Sequence, residues 1–161
     1  MSRAEVRSQL STFLQSGNVQ DLNQVFTSFP GRINFQVNAQ AGQKSRAAAV
    51  VFIESETEDR IGLGGDHSGK KRNDYQVVVQ VFHHSMWDAT ESAMDDFDLT
   101  IDGIKDLLRS DHRFGDDTGQ LIWTGAEPGI SVDYGEPLRS NGGSVETWAG
   151  IRFQVTQIIT A

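Results

Sequence analysis

Cysteine does not occur in this 161-residue chain, and that absence excludes disulfides, thiolate metal sites and thiol nucleophiles. It fits a reducing compartment. Long apolar runs are missing too: nothing approaches the roughly 18 residues that a membrane helix needs. The opening stretch MSRAEVRSQL is too polar for the apolar core of a signal peptide. No lipidation motif is present, so a soluble product made in the cytoplasm is expected. Basic residues are in the minority, 14 Lys and Arg against 22 Asp and Glu, for a formal charge of -8. A duplex-DNA binder draws much of its affinity from phosphate contacts on a basic face. Tight nucleic-acid binding is therefore not expected, although a protein that surrounds DNA without gripping it is compatible with this charge.

What is present suits one packed domain over residues 1–161. Three tryptophans and nine phenylalanines supply core material, and the length is enough to bury a core without staples. Ser2 and Glu5 form a capping-box pattern. Val6, Leu10, Phe13 and Leu14 then fall on one helical face, with Gly17 as a stop. A helical turn is expected around Leu22, Val25 and Phe26, ending before Pro30-Gly31. Ala47 to Glu56 reads as a buried strand, and Tyr75 to His84 as another. Between them Glu58 to Asp74 is rich in glycine and charge and reads as a long polar hairpin loop. Asp88 and Glu91 are placed to cap a helix, in which Met94, Phe97, Ile101, Ile104 and Leu108 step by three and four. Gln120 to Thr124 and Ile130 to Tyr134 are short strands about Glu127-Pro128-Gly129, and Asn141-Gly142-Gly143 is a turn. Val145 to Ile159 alternates, with Ile151, Phe153 and Val155 on one face and Arg152, Gln154 and Thr156 on the other. The expected fold is α+β: an antiparallel sheet with an N-terminal helix and one long central helix packed on one face.

Chemical motifs are few. Gly64 to Lys70 matches G-x-x-x-x-G-K, but Lys71 stands where a phosphate-binding loop needs Ser or Thr, and a strand follows where it needs a helix. His83 and His84 are adjacent on a strand and point to opposite faces, so they do not share an ion. His67 and His112 complete no ligand spacing with them. Asp95, Asp98, Asp102 and Asp106 share a helix face and form an acidic stripe, a solvated surface or one that faces a partner or repels DNA. Gly129-Ile130-Ser131-Val132 lacks the final glycine of a nucleophile elbow. No catalytic residue, metal ligand or cofactor site is expected, and the chain does not read as an enzyme.

The layout resembles the tail terminator, or tail completion, proteins of long-tailed bacteriophages, which belong to the head–tail joint. The resemblance runs through the capped N-terminal helix, the strand Ala48 to Glu54, the polar segment with Arg60-Ile61-Gly62 and the strand Tyr75 to Phe82. It continues through the acidic helix ending Ile104-Lys105-Asp106-Leu107-Leu108-Arg109 and the closing strand Trp148 to Thr156. It implies a structural virion protein at the head-proximal end of the tail, in a homohexameric ring. Such a ring caps the tail tube, ends its polymerisation and offers a docking surface to the head connector or head-closure protein. DNA would pass through without tight binding, and no membrane is involved. It also implies that the hairpin serves subunit or tube contacts, which makes Arg60, Lys70, Lys71, Arg72 and Arg152 the candidate contact residues. Another neck or head-closure component is the alternative, and a small hydrolase using the histidines is a more distant one.

Overall fold

The computed structural model describes residues 1–33, 44–61, 69–87, 90–123, 129–140 and 143–160. Its elements in chain order are α1 (Arg3–Ser16), β1 (Leu22–Phe26), β2 (Ser45–Arg60), β3 (Lys70–Ser85), α2 (Thr90–Ser110), β4 (Leu121–Ile122), β5 (Ser131–Tyr134), β6 (Leu138–Arg139) and β7 (Val145–Thr160). The Ser2 hydroxyl accepts from the Glu5 amide at 3.3 Å and the Glu5 carboxylate accepts from the Ser2 amide, which completes the capping box. The expected cap at Asp88, and Glu127-Pro128 and Asn141-Gly142 of the two expected turns, lie outside the described residues.

Three 16-residue strands make the centre of the sheet. At about 3.3 Å per residue each spans roughly 50 Å. β3 is the middle strand, antiparallel to β2 on one side and to β7 on the other. The far edge of β7 carries β6, β5 and β4 in turn, each antiparallel to it. The α+β class and the one-sided helical layer are as the sequence implies. Val6, Leu10 and Leu14 of α1 and Phe97, Ile101, Ile104 and Leu108 of α2 join one core with Ala47, Ala49, Val51, Val77, Val79, Val81, Ile151, Phe153 and Val155 of the sheet. Full burial of each large side chain contributes about 1.5–3 kcal/mol.

Three local expectations need correction. Leu22–Phe26 is not a helical turn. It is an edge strand parallel to β2, the one parallel pairing among the described strands. Glu58 to Asp74 is not a loop throughout: β2 runs on to Arg60 and β3 begins at Lys70, with Glu58 opposite Asn73 and Arg60 opposite Lys71. Ladder bonds join the two strands there, which a polar composition does not prevent. A bulge between Ile53 and Ser55 shifts the alternation, so Glu56 and Glu58, instead of Ser55 and Thr57, continue the helix-side row. Finally, Leu138–Arg139 adds a short strand that the sequence does not announce.

Two glycines let the helices meet. A Cβ on Gly17 would lie 2.2 Å from a Leu107 methyl, so the end of α1 approaches α2 only because Gly17 has no side chain. A Cβ on Gly103, within α2, would come 3.0 Å from Val19. The turn between α1 and β1 is also pinned by the Thr100 hydroxyl, which donates to the Gln20 carbonyl at 2.9 Å.

Candidate assembly surfaces

The half of the β2–β3 hairpin beyond the bulge carries most of the candidate contacts. Every β2 residue from Glu54 to Arg60 is exposed. Arg60, Lys70, Lys71 and Arg72 are gathered at the hairpin end, with Lys70 and Arg72 on either side of the Arg60–Lys71 pairing, whereas Arg152 sits further along the sheet opposite Val78. Three of the five are engaged within the chain. Lys71 Nζ lies 3.0 Å from Glu58 Oε1. Arg72 Nε donates to Asp74 Oδ1 at 3.0 Å, and the same oxygen accepts from the Thr156 hydroxyl at 2.6 Å. Burial works to raise the Asp74 pKa, but these donors and the Arg72 charge outweigh it and hold the carboxyl below its usual value. Arg152 bridges Glu54, at 3.4 Å, and Asp133, tying β7 to β2 and β5 across β3. Arg60 and Lys70 make no ion pair or side-chain hydrogen bond among the described residues and are exposed.

α2 turns Glu91, Asp95, Asp98, Asp102 and Asp106 outward, the stripe that the spacing implies. Lys105 and Arg109 neutralise its C-terminal part through Asp102 at 3.1 Å and Asp106 at 3.2 Å. Leu99, 53 % exposed, stands within the stripe. Asp96 is set apart from it. Its carboxylate accepts from the Trp87 indole at 2.6 Å and the Ser45 hydroxyl at 2.7 Å, fixing the start of α2 to the strand ends.

The two adjacent histidines do face opposite ways. His83 is 2 % exposed, under the Phe97 ring, with Nε2 3.8 Å from Asp21 Oδ2. His84 looks to the other face, with Nδ1 3.5 Å from Glu146 Oε1. Among the described residues no three His, Asp or Glu side chains are placed to hold a metal ion. The phosphate-loop pattern falls largely on residues 64–68, outside the described set; a strand and not a helix comes after it, as expected, although it begins at Lys70 and not at Tyr75. No helix among the described residues is long and apolar enough to cross a membrane.

The sequence reading missed an apolar surface on the sheet face away from the helices. Phe82 and Trp148 are cross-strand neighbours there, and Leu138 of β6 pairs with Glu146 two residues before Trp148. Trp148 and Leu138 are exposed. The indole lies against the Gly135 backbone, where a Cβ would come within 2.0 Å of it. The alternation of β7 places Trp148 on the Arg152 side, which was the available signal.

No family model and no curated protein matches the chain. Among solved structures, the "Virion of native gene transfer agent (GTA) particle" aligns over 96 % of this chain and 92 % of that one, at 8 % identity and a TM-score of 0.27. That score is below the level at which two chains share a fold.

Proposed function

We propose that the chain is a structural virion protein of the head–tail joint, a tail terminator that forms a closed ring on the end of the tail tube. The observation that supports this reading best is the hairpin. A scaffold of three roughly 50 Å strands holds Arg60 and Lys70 at one end of β2 and β3, and the helical layer packs on only one face. A long three-stranded arm suits contact with a neighbouring subunit or tube better than it suits chemistry. The layout resemblance supplies the rest: six copies, the tube protein on one side and the head connector on the other. Six copies at -8 each give about -48, a field that repels DNA from any lumen it lines. No catalytic role is assigned, and no cofactor.

The test is to add purified protein to polymerising tail tubes. Elongation should stop, and electron microscopy should show one added ring of six subunits at the head-proximal end of each tube. Protein found along the whole tube would make it a tube component instead, and protein only at the connector would make it a neck component. Unchanged elongation with no end-bound ring would refute the assignment.

A further inference from the structure

Two exposed patches of opposite charge stand near opposite ends of β3. One is at the end of the β2–β3 hairpin. Ile61, 53 % exposed, follows β2, and its amide donates to the Lys70 carbonyl at 3.0 Å. That pairing puts the Ile61 and Lys70 side chains on one face of the hairpin, while Arg60, opposite Lys71, faces the other way. An exposed apolar residue is thus flanked by two cations that make no ion pair among the described residues.

The other patch is the outer face of α2. Among the described residues Leu99 is the one exposed large apolar side chain on a helix. Asp95 and Asp102 lie one turn before and after it and Asp98 beside it, all exposed. Lys105 engages Asp102, whereas Asp95 and Asp98 make no ion pair among the described residues. Asp96, in the same turn, accepts from the Ser45 hydroxyl at 2.7 Å, and Ser45 pairs with Ser85. Ser85 and Lys70 are the two ends of β3, roughly 50 Å apart. One chain therefore cannot bring its own hairpin end to its own Leu99.

We propose that the hairpin end of one copy docks on the outer face of α2 of a second copy, with Ile61 against Leu99 and Lys70 and Arg60 to either side of it among the carboxylates. Charge complementarity selects a second copy as the occupant. At -8 each, two copies repel on the whole. A contact between them must therefore set cations against carboxylates, and these two ends do so. The same contact covers two apolar side chains that each copy alone leaves in water. Each copy carries both patches, so the contact is heterologous and repeats from copy to copy until a ring closes. The docking deepens the ring reading and rests on it only for that closure; it needs no tail tube.

The test is charge reversal on each side, read by sedimentation without tubes. At high concentration in low salt the parent should exceed the monomer mass. About 1 M salt, where charges are screened beyond roughly 3 Å, should return it toward the monomer. Arg60→Glu with Lys70→Glu, and separately Asp95→Lys with Asp98→Lys, should each be monomeric in low salt, with the parent's helix content. Mixed in equal amounts, the two variants should associate again, because each reversed patch meets a reversed partner. Each reversal moves the charge by four, to -12 and -4, so the net charges still repel and recovery has to come from the matched patches. Leu99→Ser, which alters no charge, should weaken the parent's association at least about tenfold. A parent that stays monomeric would overturn the proposal, as would single variants that associate like the parent or a mixture that stays monomeric. If the parent is monomeric and the hairpin variant still loses tube capping, the hairpin's partner is the tube; the docking then fails and the proposed function stands.

Discussion

Asp116 sits 4 % exposed in the turn after α2, with four donors around one carboxylate. Oδ1 accepts from the Thr118 amide and hydroxyl, and Oδ2 from the amides of Gln120 and Leu121, both at 2.9 Å. Burial works to raise its pKa, but the hydrogen bonds outweigh it and the carboxyl ends below its usual value. Asp111 is lowered likewise, chiefly by the amides of Arg113 and Gly115. A depressed carboxyl contributes stability that is complete above the unfolded value, about 4, and is lost as pH falls through the lower folded value. Asp116→Asn presents an N–H₂ where Oδ2 accepted from two amides, so it should cost about 1–3 kcal/mol at pH 7. It should also flatten the loss of stability below about pH 4. Urea melts at pH 7, 4 and 3 check both, and an unchanged acid slope would assign the effect to other groups. Phe97→Ala should cost about 3–5 kcal/mol by chemical denaturation, because Phe97 is fully buried against His83. Its role was legible in the spacing of the long helix. The reason for Gly17 was not: it reads as a helix stop, yet it is the distant Leu107 that leaves no room for a Cβ. Gly17→Ala should lower the melting temperature by several degrees, equivalent to about 1–3 kcal/mol of overpacking.

At the scale of the element, the strong periodic segments could be read directly and the weak ones could not. Leu22, Val25 and Phe26 fit a helical spacing of three and four as well as a short strand, and only the neighbouring β2 decides between them. The ends of β2 and β3 carry few apolar residues, so they resemble a loop. Their order comes from ladders on both sides of β3, which no local pattern reveals. The same holds for the candidate contacts. The basic cluster was visible as charge, but Glu58, Asp74, Glu54 and Asp133, which engage Lys71, Arg72 and Arg152, are scattered over three strands. This separates the expected phenotypes. Arg60→Glu with Lys70→Glu should leave the melting temperature within a degree or two of the parent and, on the proposed function, abolish tube capping. Arg72→Glu places two carboxylates together and should cost up to about 1 kcal/mol, limited by its partial exposure. Equal melting curves for all three substitutions would show that the Arg72–Asp74 contact carries no weight.

Across the whole molecule the acidic balance and the one-sided helical layer act together. With -8 per chain, the protein should show no nanomolar affinity for duplex DNA at physiological salt. A filter or anisotropy titration at two salt concentrations checks this, and steeply salt-dependent tight binding would contradict it. The place of β7 between β3 and the short edge strands has a consequence in time. Ser85 pairs with Val145 and Lys70 with Thr160, and the strands β4, β5 and β6 all hang on that same late segment. Such distant pairings are slow to form, because loop-closure entropy is spent before the contacts reward it. On the ribosome the β2–β3 hairpin emerges long before its second neighbour. Until β7 arrives, a valine-rich strand waits with one side bare. A translational pause after α2 would therefore prolong the aggregation-prone stage, and chaperone occupancy should peak there.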